Sequence, residues 1–296
     1  MSKTVQRKYL IINADDFGMC HSANLAVFDL FESGCLKSST IMTPCPGAEE
    51  AVAFAAAHPE YAIGVHLTHT NEWRERWPWG SLTGGKSLET PEGRMWPESE
   101  DFEAHCDEDE ALAESLAQIE FCENRGMKPS HVDSHMGAVY GLNGRYLMLP
   151  KTIKLCGKKG YPFRMFSKPL RSQCPPEAPI GLFLAMCRIC AALSRIYKVP
   201  MPDYLIFPEQ IETGETYEEF KRNFIEYLIR IPYGISETYI HPALDTEELR
   251  SITGSWRRRS WEYRVMKDPE THAAFKTHGI HLISYRDLVK LRNAGV

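Results

Sequence analysis

Residues 13–18 read Asn13-Ala14-Asp15-Asp16-Phe17-Gly18 and follow the apolar run Tyr9-Leu10-Ile11-Ile12, which sets two adjacent carboxylates at the end of a predicted strand. Neighbouring side chains on an extended chain point to opposite faces, so the placing of this pair depends on the strand ending there. Strand ends are where α/β active sites are built. Two further runs end in the same way. Ala62-Ile63-Gly64-Val65 leads into His66-Leu67-Thr68-His69, and Pro129-Ser130 leads into His131-Val132-Asp133-Ser134-His135. Carboxylates and imidazoles gathered at strand ends form a ligand set that a hydrolytic Zn²⁺ or a harder divalent ion accepts. Any one of these histidines alone reads as a hydrogen-bonded core or surface residue. The three clusters together point to a metal site.

Alternating apolar runs and helical patterns must position these groups. The pattern predicts strands at Tyr9–Asn13, Ser39–Met42, Ile63–Leu67, His131–Asp133, Pro162–Phe166, Tyr204–Phe207, Glu237–Ile240 and His281–Ile283. Helices are predicted at Ser22–Ser33, Gly47–His58, Glu108–Arg125, Arg145–Lys159, Ile180–Tyr197, Tyr217–Arg230 and Tyr285–Asn293. Such alternation predicts parallel strands with helical crossovers: an α/β fold, a distorted (β/α) barrel of seven or eight units, with a doubly wound open sheet as the alternative. No repeat, low-complexity tract or linker divides the chain, so residues 1–296 read as one domain. The segment at about 70–107 has little periodicity and carries Trp73, Trp77, Trp79 and Trp96. A loop of that length is usually functional or disordered, and four tryptophans argue against disorder. It is expected to cover the strand ends. Its rings could stack on sugar faces or simply anchor the loop.

At 43% hydrophobic and 25% charged residues, the composition is that of an ordinary globular protein, and a net charge of −5 argues against a nucleic-acid platform. Arg257-Arg258-Arg259 reads as a solvated face or an anion-contacting loop. The N-terminal residues show no apolar signal core, and no apolar run is expected to cross a membrane, so a cytoplasmic location and no membrane partner are expected. Nine irregularly spaced cysteines fit reduced thiols, and Cys187-x-x-Cys190 reads as buried thiols within a helix.

Four segments carry a resemblance: Asn13 to Gly18, Gly64-Val65-His66-Leu67-Thr68, Pro129 to His135, and Tyr239-Ile240-His241-Pro242. In order and type they resemble the YdjC-like carbohydrate deacetylases, among them chito-oligosaccharide deacetylases, and they cover residues 9 to about 245. The resemblance implies a barrel of the glycoside hydrolase/deacetylase type. It also implies a divalent ion (Zn, Mg, Ni, Co or Mn) held by Asp16, His66 and His135. By similarity to related polysaccharide deacetylases, Asp15 would be general base and His241 general acid, with Arg164 orienting the base. From the residues themselves, apart from the resemblance, His131 and Asp133 read as groups that orient the ligands, and Trp73, Trp77, Trp79 and Trp96 as substrate contacts or loop anchors. One departure matters: many members continue with further histidines, whereas this chain reads His135-Met136-Gly137-Ala138-Val139-Tyr140, which alters the wall beside the ion.

The expected activity is a metal-dependent hydrolase that removes an N-acetyl group from an amino sugar or acetylated carbohydrate. The alternatives are a metal-dependent amidohydrolase or lyase on a non-sugar molecule, or a non-catalytic sugar-binding relative. No G-x-S-x-G elbow, Walker or dinucleotide fingerprint is present. The oligomeric state is left open, a homodimer included.

Overall fold

The computed structural model describes residues 7–73, 75–141, 148–174 and 180–295. In chain order these form β1 (Lys8–Phe17), α1 (His21–Glu32), β2 (Ser38–Ile41), α2 (Ala48–Ala57), β3 (Ala62–Leu67), α3 (Ser99–His105), α4 (Glu108–Glu123) and β4 (Val132–Ser134). They continue with α5 (Met148–Lys159), α6 (Ile180–Tyr197), β5 (Tyr204–Leu205), α7 (Tyr217–Leu228), β6 (Gly234–Ile240), α8 (Glu247–Ile252), α9 (Trp256–Lys267), α10 (Pro269–Thr277), β7 (Ile280–Leu282) and α11 (Tyr285–Asn293). The predicted start of the fifth helix at Arg145 lies outside the described residues.

Strand β1 is buried continuously from Leu10 to Phe17, as happens when parallel neighbours flank a strand and helices cover the sheet. Every strand pairing is parallel, in the order β4-β3-β2-β1-β6-β5, with β7 paired to the start of β1. The first strand therefore sits beside β6, a late one. A doubly wound sheet would place it beside a middle strand at a switch point. The architecture is a parallel α/β half-barrel, consistent with a curled barrel.

The predicted strand Pro162–Phe166 is reduced to one parallel bridge, between Val132 and Phe163. Pro162 has no N–H to give to a ladder, and the neighbouring groups bond alternately to both sides. Arg164 N–H donates to Val132 O, Phe163 N–H to Pro200 O, and Asp203 N–H to Ile235 O of β6.

Helix ends follow their caps. Asp107 accepts from the Asp109 and Glu110 amides at the start of α4, while Thr216 and Ser284 form reciprocal capping boxes on α7 and α11. Helices α3, α8, α9 and α10 were not legible as apolar periodicity. Contrary to the expectation that no run could cross a membrane, α6 is long and apolar enough by length and composition, at 18 residues. It turns Phe183, Cys187 and Cys190 inward and leaves Ile180, Leu182, Ile189 and Ile196 exposed. All nine cysteines are free, and burial pushes the Cys187 and Cys190 thiols up to about 11 and about 12.

Candidate active site

The site gathers at the C-terminal ends of β1, β3, β4 and β6. At the end of β1 the chain leaves extended geometry: the register against β2 slips between Ala14 and Phe17, and Asp16 adopts φ of 60°. Aspartate tolerates this left-handed region better than most residues. Asp15 and Asp16 consequently serve different partners. Strands β3 and β4 approach closely because residue 64 is glycine; a Cβ there would collide with the backbone carbonyl of His131.

One group of ligand atoms faces a common point. Asp16 Oδ1 lies 3.3 Å from His135 Nδ1 and 3.5 Å from His66 Nε2, and all three residues are buried. The far atoms are occupied elsewhere. His66 Nδ1 meets Asp133 Oδ1 at 2.6 Å, His135 Nε2 meets Glu72 Oε2 at 3.0 Å, and Arg259 Nη2 donates to Asp16 Oδ2 at 2.7 Å. Asp16 Oδ1 itself is buried and has no hydrogen-bond partner, an arrangement that is rare unless a further group completes it. One carboxylate oxygen and two imidazole nitrogens match the donor set of a divalent ion. Burial opposes protonation of the two imidazoles. Asp133 and Asp15 nevertheless raise His66 to about 9, and Glu72 and Asp16 raise His135 to about 10. Burial likewise opposes ionisation of Asp16, but Arg259 and His241 hold it well below the usual carboxylate range.

Beside this group lies a second, centred on Arg164. Its Nη1 and Nη2 donate to Asp15 Oδ2 and Oδ1 at 2.6 and 2.7 Å, a bidentate pairing. Nη2 also lies 2.8 Å from Asp133 Oδ2, and Nε donates to Glu237 Oε1 at 2.7 Å. Burial would raise the Asp15 carboxyl, but Arg164 and His66 bring it below its ordinary value. Glu237 moves the other way. Burial lifts it to about 7 against the pull of Arg164 and of Tyr285, whose hydroxyl donates to it. Asp133 also accepts from Thr40 Oγ1 at 2.8 Å. His131 Nε2 meets Asn13 Oδ1 at 3.1 Å and its ring stacks on Tyr285 at 3.7 Å; burial and Arg164 hold it well below the usual histidine range.

His241 follows β6, whose Ile240 pairs with Ala14 of β1, and is more open than the rest. Its side chain is 29% exposed, with Nδ1 3.9 Å from Glu262 Oε2, and its backbone N–H donates to the same oxygen. A cavity of about 280 Å³ joins the two groups and reaches Asp15, Asp16, His66, His135, Arg164 and His241. That volume is at the small end for a ligand site.

None of the four tryptophans lines this cavity. The indole N–H groups of Trp77, Trp79 and Trp96 are satisfied internally by Met19 O, Thr70 O and Ser87 O. Trp73 comes nearest, its ring 6.2 Å from that of His135 and 5.3 Å from the Arg259 guanidinium. Sequence reasoning missed Glu72, Glu237 and Arg259. Glu237 carried a signal, since an acid in a central strand requires a partner. Arg259 was read with its neighbours as a solvated face or an anion-contacting loop; it is 6% exposed, stands on α9, and the anion it contacts is the Asp16 carboxylate.

Residues 9–277 match the family described as YdjC-like protein, and the chain belongs to it. It is 27% identical over 290 residues to a carbohydrate deacetylase of Geobacillus stearothermophilus, covering 96% of this chain and 99% of that one. A carbohydrate deacetylase of Vibrio parahaemolyticus is 26% identical over 284 residues, covering 95% and 96%. Among solved structures, a putative cellobiose-phosphate cleavage protein from Enterococcus faecalis superposes with a TM-score of 0.74 at 25% identity, covering 95% of this chain and 99% of the other.

Proposed function

We propose that this member of the YdjC-like family is a metal-dependent hydrolase that removes an N-acetyl group from an amino sugar or related acetylated carbohydrate. Full-length similarity to proteins named carbohydrate deacetylase supports the substrate class. One observation carries the metal. Asp16 Oδ1 is buried without a partner, faces two imidazole nitrogens, and has the distal atoms of all three residues tied down. Asp16, His66 and His135 would hold one divalent ion, with Zn, Mg, Ni, Co and Mn all compatible with the donors. When bound, such an ion supplies Lewis-acid polarisation of the acyl carbonyl and acidifies water.

The remaining work falls to the chain's own side chains. Asp15, kept ionised by the two-point grip of Arg164, accepts a proton from the attacking water. His241, at the end of β6 on the same cavity, donates a proton to the departing nitrogen, and its exposure leaves room for the sugar beside it. Asp133 and His131 steady His66 and Asn13 from behind. We further read the backbone links through Phe163 and Pro200 as closing a distorted barrel of a single domain spanning residues 1–296. The free cysteines support a reducing, cytoplasmic setting.

The test is acetate release from a panel of N-acetylated mono- and oligosaccharides by protein of measured metal content. Release that disappears on chelation and returns with added ion is expected. A metal-replete protein that deacetylates no member of the panel would overturn the reading in favour of a non-sugar amide.

A further inference from the structure

We propose that Arg259 and Glu72 form an outer clamp that sets how Asp16 and His135 present their ligand atoms, and that the clamp restricts Asp16 to one ligating oxygen. This rests on the metal-site reading above. Both residues lie outside the segments that carry the ligands, one 243 positions from Asp16 and the other 63 from His135. Arg259 takes Asp16 Oδ2 at 2.7 Å and leaves Oδ1 facing His66 and His135. A carboxylate with one oxygen held in an ion pair cannot swing that oxygen inward, so more coordination positions stay open for water and substrate. Glu72 does the equivalent for His135. By accepting at Nε2 it turns Nδ1 toward Asp16 Oδ1. Trp73 follows Glu72 directly and packs on both His135 and Arg259, so one loop dipeptide and helix α9 brace each other across the two ligands.

The energetic cost of this arrangement argues for a functional role. Arg259 is buried, yet its Nε and Nη1 have no hydrogen-bond partner and only Nη2 is engaged with Asp16. Burying a guanidinium on a single bond destabilises the fold compared with an apolar side chain, and such exceptions gather at functional sites. The geometry also revises the reading of the loop at about 70–107. Its first turn supports the ligands, and its tryptophans anchor it.

The experiment measures the dissociation constant of Zn²⁺ and the visible absorption of the Co²⁺-substituted protein for the wild type, Arg259→Met, Arg259→Lys and Glu72→Gln, without substrate. Arg259→Met and Glu72→Gln are each expected to weaken Zn²⁺ binding about 10–100-fold. Arg259→Met should also weaken the Co²⁺ bands toward those of a higher-coordinate site as Asp16 becomes bidentate, and Arg259→Lys should recover most of both properties. Unchanged affinity and an unchanged Co²⁺ spectrum in Arg259→Met and Glu72→Gln would overturn the clamp. If Arg259→Met fails to fold, Glu72→Gln decides alone. His66→Ala serves as the reference for the ligand set: full Zn²⁺ occupancy in that variant would reject the metal site itself, an outcome distinct from failure of the clamp.

Discussion

The groups around Arg164 and the lone His241 are built to opposite standards within one cavity. Around Arg164, Asp15 of β1, Asp133 of β4 and Glu237 of β6 have side-chain exposures of 0–4%, so neither Asp15 nor its cation can reorient without leaving charge stranded in the interior. Just past the end of β6, His241 is open to solvent, its nearest carboxylate 3.9 Å away. A base acting on water near a fixed ion gains from being rigid, because misplacement costs rate steeply. An acid that must meet leaving groups of varied shape gains from reach. On the proposed mechanism, the Arg164 cluster preorganises the base and the exposed His241 accommodates the substrate.

The sharpest way to break this contrast is at its rigid centre. Arg164→Met leaves three buried carboxylates without their cation and is expected to cost about 3–5 kcal/mol of stability, read as a lowered denaturation midpoint. A variant within about 0.5 kcal/mol of wild type, the range of an ordinary surface substitution, would show that the cluster relaxes. Asp15→Asn tests function at the same place without removing the cation. It should keep the fold and the metal while slowing acetate release by about 10²–10⁴-fold. If release stays near wild type, Asp133 becomes the base to examine next. At the exposed group, His241→Ala should slow amide substrates by about 10²-fold and activated esters by much less, since good leaving groups need no proton. Equal losses on both substrates would assign His241 to binding.

A smaller effect is expected with pH. In the metal-free protein burial opposes protonation of His66 and His135, yet nearby carboxylates raise them to about 9 and about 10. The folded state therefore holds protons that the unfolded chain releases near pH 6.5. Stability from these pairs is complete below about 6.5 and is lost as pH rises through 9 to 10. The melting temperature of metal-free protein should fall across that window. The metal-loaded protein should fall less, because neutral imidazole is the ligating form. A flat metal-free profile would contradict the ion pairs. Least affected of all should be Trp96→Phe, whose ring stacks on His105 at 3.9 Å away from the cavity. Turnover within about threefold of wild type is expected, a margin below the tenfold step of 1.4 kcal/mol, and a larger loss would return the loop to substrate contact.

Much of this molecule was legible in the chain because its signals are local. Apolar runs a few residues long marked β1, β2, β3 and β6 to within a few residues. The polar residues at their ends named Asp16, His66 and His135, which the fold brings to one point, and Asp15, which it places beside them on Arg164. The predicted strand at Pro162–Phe166 failed because pairing is a property of neighbours: Pro162 lacks a donor, and the adjacent groups bond to both sides. Helices α3, α8, α9 and α10 failed because their inward faces carry few apolar residues; α9 buries Arg259 and Glu262 beside Val265 and Met266.

The sequence by itself determined which residue types stand at the strand ends, and with them the carboxylates and imidazoles from which the proposed donor set and base are drawn. Only tertiary structure decided what holds those groups in place. Arg257, Arg258 and Arg259 are indistinguishable as a run, but successive helical residues turn by about 100°. One arginine therefore rests over Trp256, the next pairs with Glu262, and the last reaches the carboxylate of Asp16. Which of three equal charges becomes part of the site depends on where α9 packs against the end of β1, and contacts across more than two hundred residues leave no periodic trace in the chain.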